Sequence, residues 1–155
     1  MRPAPEVSVR PVAVAHEDDP PRCEVLLRGH ATGTGVGGRL LEAAIEAAGR
    51  YLLFVTDDCP YEEQLHLHLL DAAGKVLDSA SLGGPYSTGR FVGPRLLDDR
   101  RVGFSFFDDK DWEVELLDAP RLRLPVFTEP LGVWRARPLR CHFVVHARPR
   151  SLVTP

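Results

Sequence analysis

Lysine is nearly absent: the chain has 2 lysines against 17 arginines. Methionine occurs only as the first residue, and aromatic residues make up 8%. Cysteine is scarce and odd in number, and Cys23, Cys59 and Cys141 are too far apart for a CxxC redox pair or a zinc knuckle. A secreted domain usually pairs its cysteines. The opening residues Met-Arg-Pro-Ala-Pro-Glu lack the apolar core of a secretory signal. Together these features place the chain in the cytoplasm with reduced thiols. No apolar run approaches the roughly 18 residues of a membrane span, so no membrane partner is expected. Walker, G-x-S-x-G, H-E-x-x-H and zinc-spaced motifs are all missing, and no cofactor is expected. The arginine bias, with abundant Ala, Gly and Pro, fits a GC-rich bacterial coding sequence.

What is present is an ordinary globular composition: 155 residues, 44% hydrophobic and 26% charged. This length suits one domain with its own core. The net charge of -3 gives no global attraction to nucleic acid. Five prolines in residues 1–21, with Val7, Val9, Val12 and Val14 at near-period two, read as an edge strand or extended arm. Residues 22–147 read as one β-rich domain and 148–155 as a frayed tail.

Short apolar runs separated by Gly, Pro and Asp turns predict an all-β domain, an antiparallel sandwich or partly open barrel. Residues 65–80 read as a hairpin turning at Asp71–Lys75. Trp112, Val114 and Leu116 alternate with Glu113 and Glu115 as on a half-buried strand. The weaker run 122–127 contains Pro125. Residues 39–48 fit a short helix by propensity, yet Leu41, Ala43, Ile45 and Ala47 also alternate with Glu42 and Glu46; the β-rich surroundings favour a strand. The expected core is Leu26, Leu53, Val55, Leu67, Leu69, Val76, Phe104, Phe106, Trp112, Val114, Leu116 and Val144.

Three candidate sites follow. Gly33, Gly35 and Gly38 satisfy G-x-G-x-x-G after the run 23–28, and Asp57 lies 19 residues beyond, near where a ribose-binding acid would fall. Against a nucleotide site, residues 29–32 loosen the turn and hairpins replace the next crossover helix. The competing reading is a Gly-rich loop. His66 and His68 share one strand face, the H-x-H geometry of some metal sites, and His142 and His146 share another. The bland reading is half-exposed strand histidines. The acidic loops Asp57, Asp58, Glu62, Glu63 and Asp108, Asp109, Asp111 could serve a cation, acid–base work or only turn formation. Ser87 has no identifiable partner, and Trp112 and Trp134 suit core or interface positions.

Charge is distributed unevenly. Residues 57–118 carry 14 acidic and 6 basic side chains, net -8, whereas residues 119–155 carry 7 arginines and 1 acid, net +6. An acidic face bearing Asp57, Asp58, Glu62, Glu63, Asp108, Asp109 and Asp111 would steer a basic partner. The segments 51–63, 65–71 and 86–91 resemble a group of small bacterial proteins. That resemblance implies a β-rich cytoplasmic protein and carries no activity; proteins of this appearance include immunity proteins that neutralise a toxin. The expected function is a non-enzymatic protein-binding module. The rival is a nucleotide- or metal-binding enzyme using Gly33–Gly38 or the acidic loops.

Overall fold

The computed structural model describes residues 1–59, 61–84, 88–107, 110–122, 129–135 and 140–150. Among them are thirteen strands and no helix. In chain order these are β1 (Arg2–Pro3), β2 (Val7–Val12), β3 (Arg22–Leu27), β4 (His30–Gly37), β5 (Leu40–Ala47), β6 (Arg50–Thr56) and β7 (Leu65–Leu70). They continue with β8 (Val76–Leu82), β9 (Val92–Leu96), β10 (Arg101–Ser105), β11 (Lys110–Leu122), β12 (Val133–Arg135) and β13 (Arg140–Pro149). No helix among the described residues is long and apolar enough to cross a membrane.

The strands form three antiparallel sheets. Their orders are β1-β5-β6-β7-β8-β12, β13-β11-β10-β9 and β2-β3-β4. The all-β expectation holds, as a sandwich with no closed barrel. It has a third layer. Leu52 and Phe54 of β6 enter a core shared with Phe104, Trp112, Val114 and Phe143 of the four-stranded sheet. Tyr51, Leu53 and Val55 of the same strand enter a second core with Cys23, Val25 and Val36 of the three-stranded sheet. The six-stranded sheet is therefore the middle layer. This explains why Tyr51-Leu-Leu-Phe-Val55 is apolar without alternation: a strand covered on both faces has no polar side.

Residues 40–47 are a strand, between β1 and β6. A bulge between Leu41 and Ala43 moves Leu41 to the second core while Ala43, Ile45 and Ala47 face the first. The proline-rich arm supplies two edge strands, β1 and β2, and Pro11 sits on the outer strand of its sheet, where a missing ladder donor costs least. At the other end β13 carries the ladder to Pro149, opposite Lys110, so pairing runs beyond residue 147.

Three expected core residues are only half-buried: Leu26, Val76 and Val144. Each sits next to the residues that face inward. Cys23 and Val25 fill the core from β3, and Phe143 and Val145 from β13. A β-strand assigned one residue out of phase exchanges its two faces. Val76 lies at the Leu69/Leu70 bulge and packs at the rim of the second core. Ser87, Asp108, Asp109 and the run 123–127 lie outside the described residues.

Candidate functional site

The hairpin β7–β8 pairs His66 with Ser81 and His68 with Ser79. Both histidines point at the three-stranded sheet, away from Leu65, Leu67 and Leu69 in the first core. Their rings lie nearly parallel, 12° apart with centroids 6.1 Å apart. His66 bonds Asp57 Oδ1 through Nε2 at 2.7 Å and Ser81 Oγ through Nδ1 at 2.7 Å. His68 bonds the Gly37 carbonyl through Nε2 at 3.0 Å and Ser79 Oγ through Nδ1 at 2.8 Å. A carboxylate and a carbonyl only accept, so each Nε2 carries the hydrogen. With the hydrogen on Nε2 alone, Nδ1 accepts the serine O–H. The result is two adjacent relays, Asp57–His66–Ser81 and Gly37–His68–Ser79.

In this arrangement all four ring nitrogens of His66 and His68 are engaged by protein groups. Among the described residues no group of three or more His, Cys, Asp or Glu side chains is placed to hold a metal. His142 and His146 sit on β13 in a different sheet, His146 bonding Glu115 at 2.9 Å.

Gly33, Gly35 and Gly38 do not sit on the strand–turn–helix that the nucleotide reading expects. Gly33 and Gly35 lie within β4, and a strand follows where a phosphate-binding helix would have to start. The glycines serve close approach instead. A Cβ on Gly37 would stand 3.6 Å from His66 Nδ1. On Gly38, at φ +103°, it would stand 2.4 Å from Val55 Cγ1 and 3.1 Å from His66 Cδ2. The β4–β5 connection thus runs directly over the histidine pair.

Burial drives the His68 pKa down to about 4, with His66 and Arg22 adding to the effect and the Gly37 carbonyl opposing it. His68 is therefore neutral in the folded protein. The unfolded chain gains this proton below about pH 6.5, so the native state loses stability as pH falls from about 6.5 towards 4. Urea unfolding at pH 7 and pH 5 should show a loss of roughly 2 kcal/mol from this group. In His68→Gln, which keeps a donor for the Gly37 carbonyl, that loss should largely vanish.

A cleft of about 1000 Å³ opens beside the first relay. One wall is the β2–β3 connection with Glu17, Asp18 and Asp19; the other is the β6–β7 loop with Asp57, Cys59, Glu62 and Gln64. Arg22, Arg39 and His66 also line it. Neither guanidinium makes an ion pair or side-chain hydrogen bond among the described residues. The β6–β7 loop is shaped by Glu63, whose carboxylate accepts the N–H groups of Asp57 at 2.8 Å, Asp58 at 3.0 Å and Cys59 at 3.1 Å. Asp58 adopts φ +58°, a conformation Asp tolerates well. Burial pushes the Glu63 carboxyl up from its ordinary range, against the three N–H groups that hold it down.

The expected acidic face is thus divided by role. Asp57 and Glu63 are committed to internal hydrogen bonds, whereas Asp58 and Glu62 are exposed on the same loop. Asp111 lies on β11 of another sheet, facing Arg150 at 3.5 Å and Arg95 at 4.0 Å. The carboxylates that join Asp57 and Glu62 around the cleft are Glu17, Asp18 and Asp19, in the arm that the sequence reading treated as structural. Ser79 and Ser81 were missed too. A signal for them existed: the short turn at 71–75 makes the hairpin nearly symmetric, so H-x-H at 66 and 68 falls opposite S-x-S at 79 and 81.

The chain matches no protein-family model, no curated protein and no solved structure.

Proposed function

We propose that the protein is a protein-binding module whose cleft accepts a cationic segment of a partner. The observation behind this is the cleft lining: five carboxylates, Glu17, Asp18, Asp19, Asp57 and Glu62, against two arginines. Pro11, Val12, Val14, Pro20 and Pro21 add apolar walls suited to aliphatic stems of Lys or Arg. Carboxylates in a concave site focus their field and steer a positive partner. A nuclease toxin is a partner of this class, because its own site must attract phosphate, and an immunity protein occupying that site inhibits by competition. Cys23, Cys59 and Cys141 are all free thiols, two of them buried, which suits action in the reducing cytoplasm of a bacterium.

A fluorescent nona-arginine peptide tests the reading. It should bind at low ionic strength, and raising salt to about 0.5 M should weaken binding by more than tenfold. The triple reversal Glu17→Lys, Asp18→Lys, Glu62→Lys should cost at least about tenfold at low salt. Equal affinity for the triple variant and wild type would contradict the cleft as the site.

A further inference from the structure

We propose that Ser81 is a nucleophile, with His66 as its general base and Asp57 as the group that orients that base, acting in acyl transfer on carboxylic esters that reach the half-buried Ser81 beside the cleft. The proposal goes beyond the docking reading and does not depend on a protein partner. Three side chains from three segments are linked in series, with both links at 2.7 Å. Asp57 fixes the proton on Nε2, so Nδ1 faces the Ser81 hydroxyl with its lone pair. This is the order of roles that activates a serine, with the two ring nitrogens exchanged relative to the common arrangement. Asp57 and His66 line the cleft, and Ser81 is half-buried next to His66.

The neighbouring relay is an internal control. Ser79 bonds His68 at 2.8 Å, a similar distance, but His68 is 5% exposed and backed by a neutral carbonyl. Taking up a proton there would place an uncompensated charge in the interior, and burial already holds that ring in its neutral form. On His66 the new imidazolium would face the Asp57 carboxylate. Two serines in near-equivalent geometry therefore differ in what stands behind their histidine: a carboxylate for Ser81, a neutral carbonyl for Ser79.

In the reaction Ser81 Oγ attacks the ester carbonyl carbon as its proton passes to His66 Nδ1. The C–O bond to the alcohol then breaks and the alcohol leaves with that proton. Water attacks the acyl-serine by the same route, releasing the carboxylic acid and restoring Ser81. Arg22 and Arg39 line the cleft together with His66. A preference for esters bearing a cationic group would follow from the cleft carboxylates; that preference alone rests on the docking reading.

The test uses the intact chain and a neutral alkyl fluorophosphonate, in which the Oγ–P bond forms as P–F breaks and fluoride leaves. Peptide mass spectrometry should find the adduct on Ser81 and not on Ser79. Ser79→Ala should retain labelling and Ser81→Ala should abolish it. His66→Gln should slow labelling by about 100-fold or more, with urea unfolding confirming that this variant is folded. No adduct on wild type, an adduct on another residue, or equal labelling rates for folded His66→Gln and wild type would each overturn the proposal and leave the relay as a tie between strands. Because the probe is neutral, failure here leaves the nona-arginine result untouched.

Discussion

Arg135→Ala should lower stability by about 3–5 kcal/mol, with a fall in Tm on the order of 10 °C by calorimetry. The Arg135 side chain is 1% exposed, and its partners Asp78 and Glu129 are 0% and 4% exposed. Its guanidinium donates to Asp78 Oδ2 at 2.7 Å, to the Phe143 carbonyl at 2.6 Å and to Glu129, and it stacks on the Phe143 ring at 4.3 Å. Asp78 also accepts the backbone N–H of His142 at 2.7 Å and of Ser79 at 2.8 Å. The network joins β12 and β8 of the middle layer to β13 of the four-stranded sheet. Removing the cation takes the counter-charge away from the fully buried Asp78 carboxylate, which costs more than the pair contributed while intact. Asp78→Ala should be milder, since Glu129 still compensates Arg135. Arg135→Lys should rescue little, because one ammonium cannot reproduce the forked contacts to Asp78, Glu129 and the Phe143 carbonyl.

Gly38→Ala should cost about 3 kcal/mol. An L-residue at φ +103° is strained by roughly 1–3 kcal/mol, and the new methyl would overlap Val55 Cγ1 and crowd His66. The effect should be local as well as global. His66 should lose its hold on Ser81, and the β4–β5 connection above it should exchange its amides faster. Gly33→Ala should also cost stability, because Gly33 has φ +76°, but its Cβ would meet nothing within 4 Å, so the smaller loss should leave the histidines alone. Denaturant melts of the two variants, with the histidine ring resonances followed by NMR, separate these outcomes. A phosphate-binding loop would give the reverse pattern: little effect on melting and loss of an anion site.

Much of the fold was legible because the turns are explicit. Asp71-Ala-Ala-Gly-Lys75 and the alternation in 65–70 specify the central hairpin, and that hairpin sets the His66–Ser81 and His68–Ser79 pairs. At 40–47 the residues alone fit helix and strand alike and only the β-rich surroundings pointed to a strand; pairing on both sides decides it, because it outweighs a few tenths of a kcal/mol per residue. The third layer was not legible. Nothing local says that the weakly apolar arm and the glycine-rich β4 fold back over the face that carries the histidines, so both rings read as half-exposed. The same long-range step brings Glu17, Asp18 and Asp19 opposite Asp57 and Glu62. Asp78 reads as a turn-flanking acid, and only the return of β12 and β13, some 60 residues later, makes it the anchor of a buried network.

The cleft is tested most directly by where a cationic peptide lands. Amide chemical-shift mapping of the 15N-labelled protein, titrated with nona-arginine at low salt, reads this residue by residue. The account predicts shifts concentrated at 17–22 and 57–66, saturating together, with the acidic residues Asp98, Asp99 and Asp118 on the other side of the sandwich changing little. Shifts spread evenly over all acidic segments, or centred on 98–118, would contradict it.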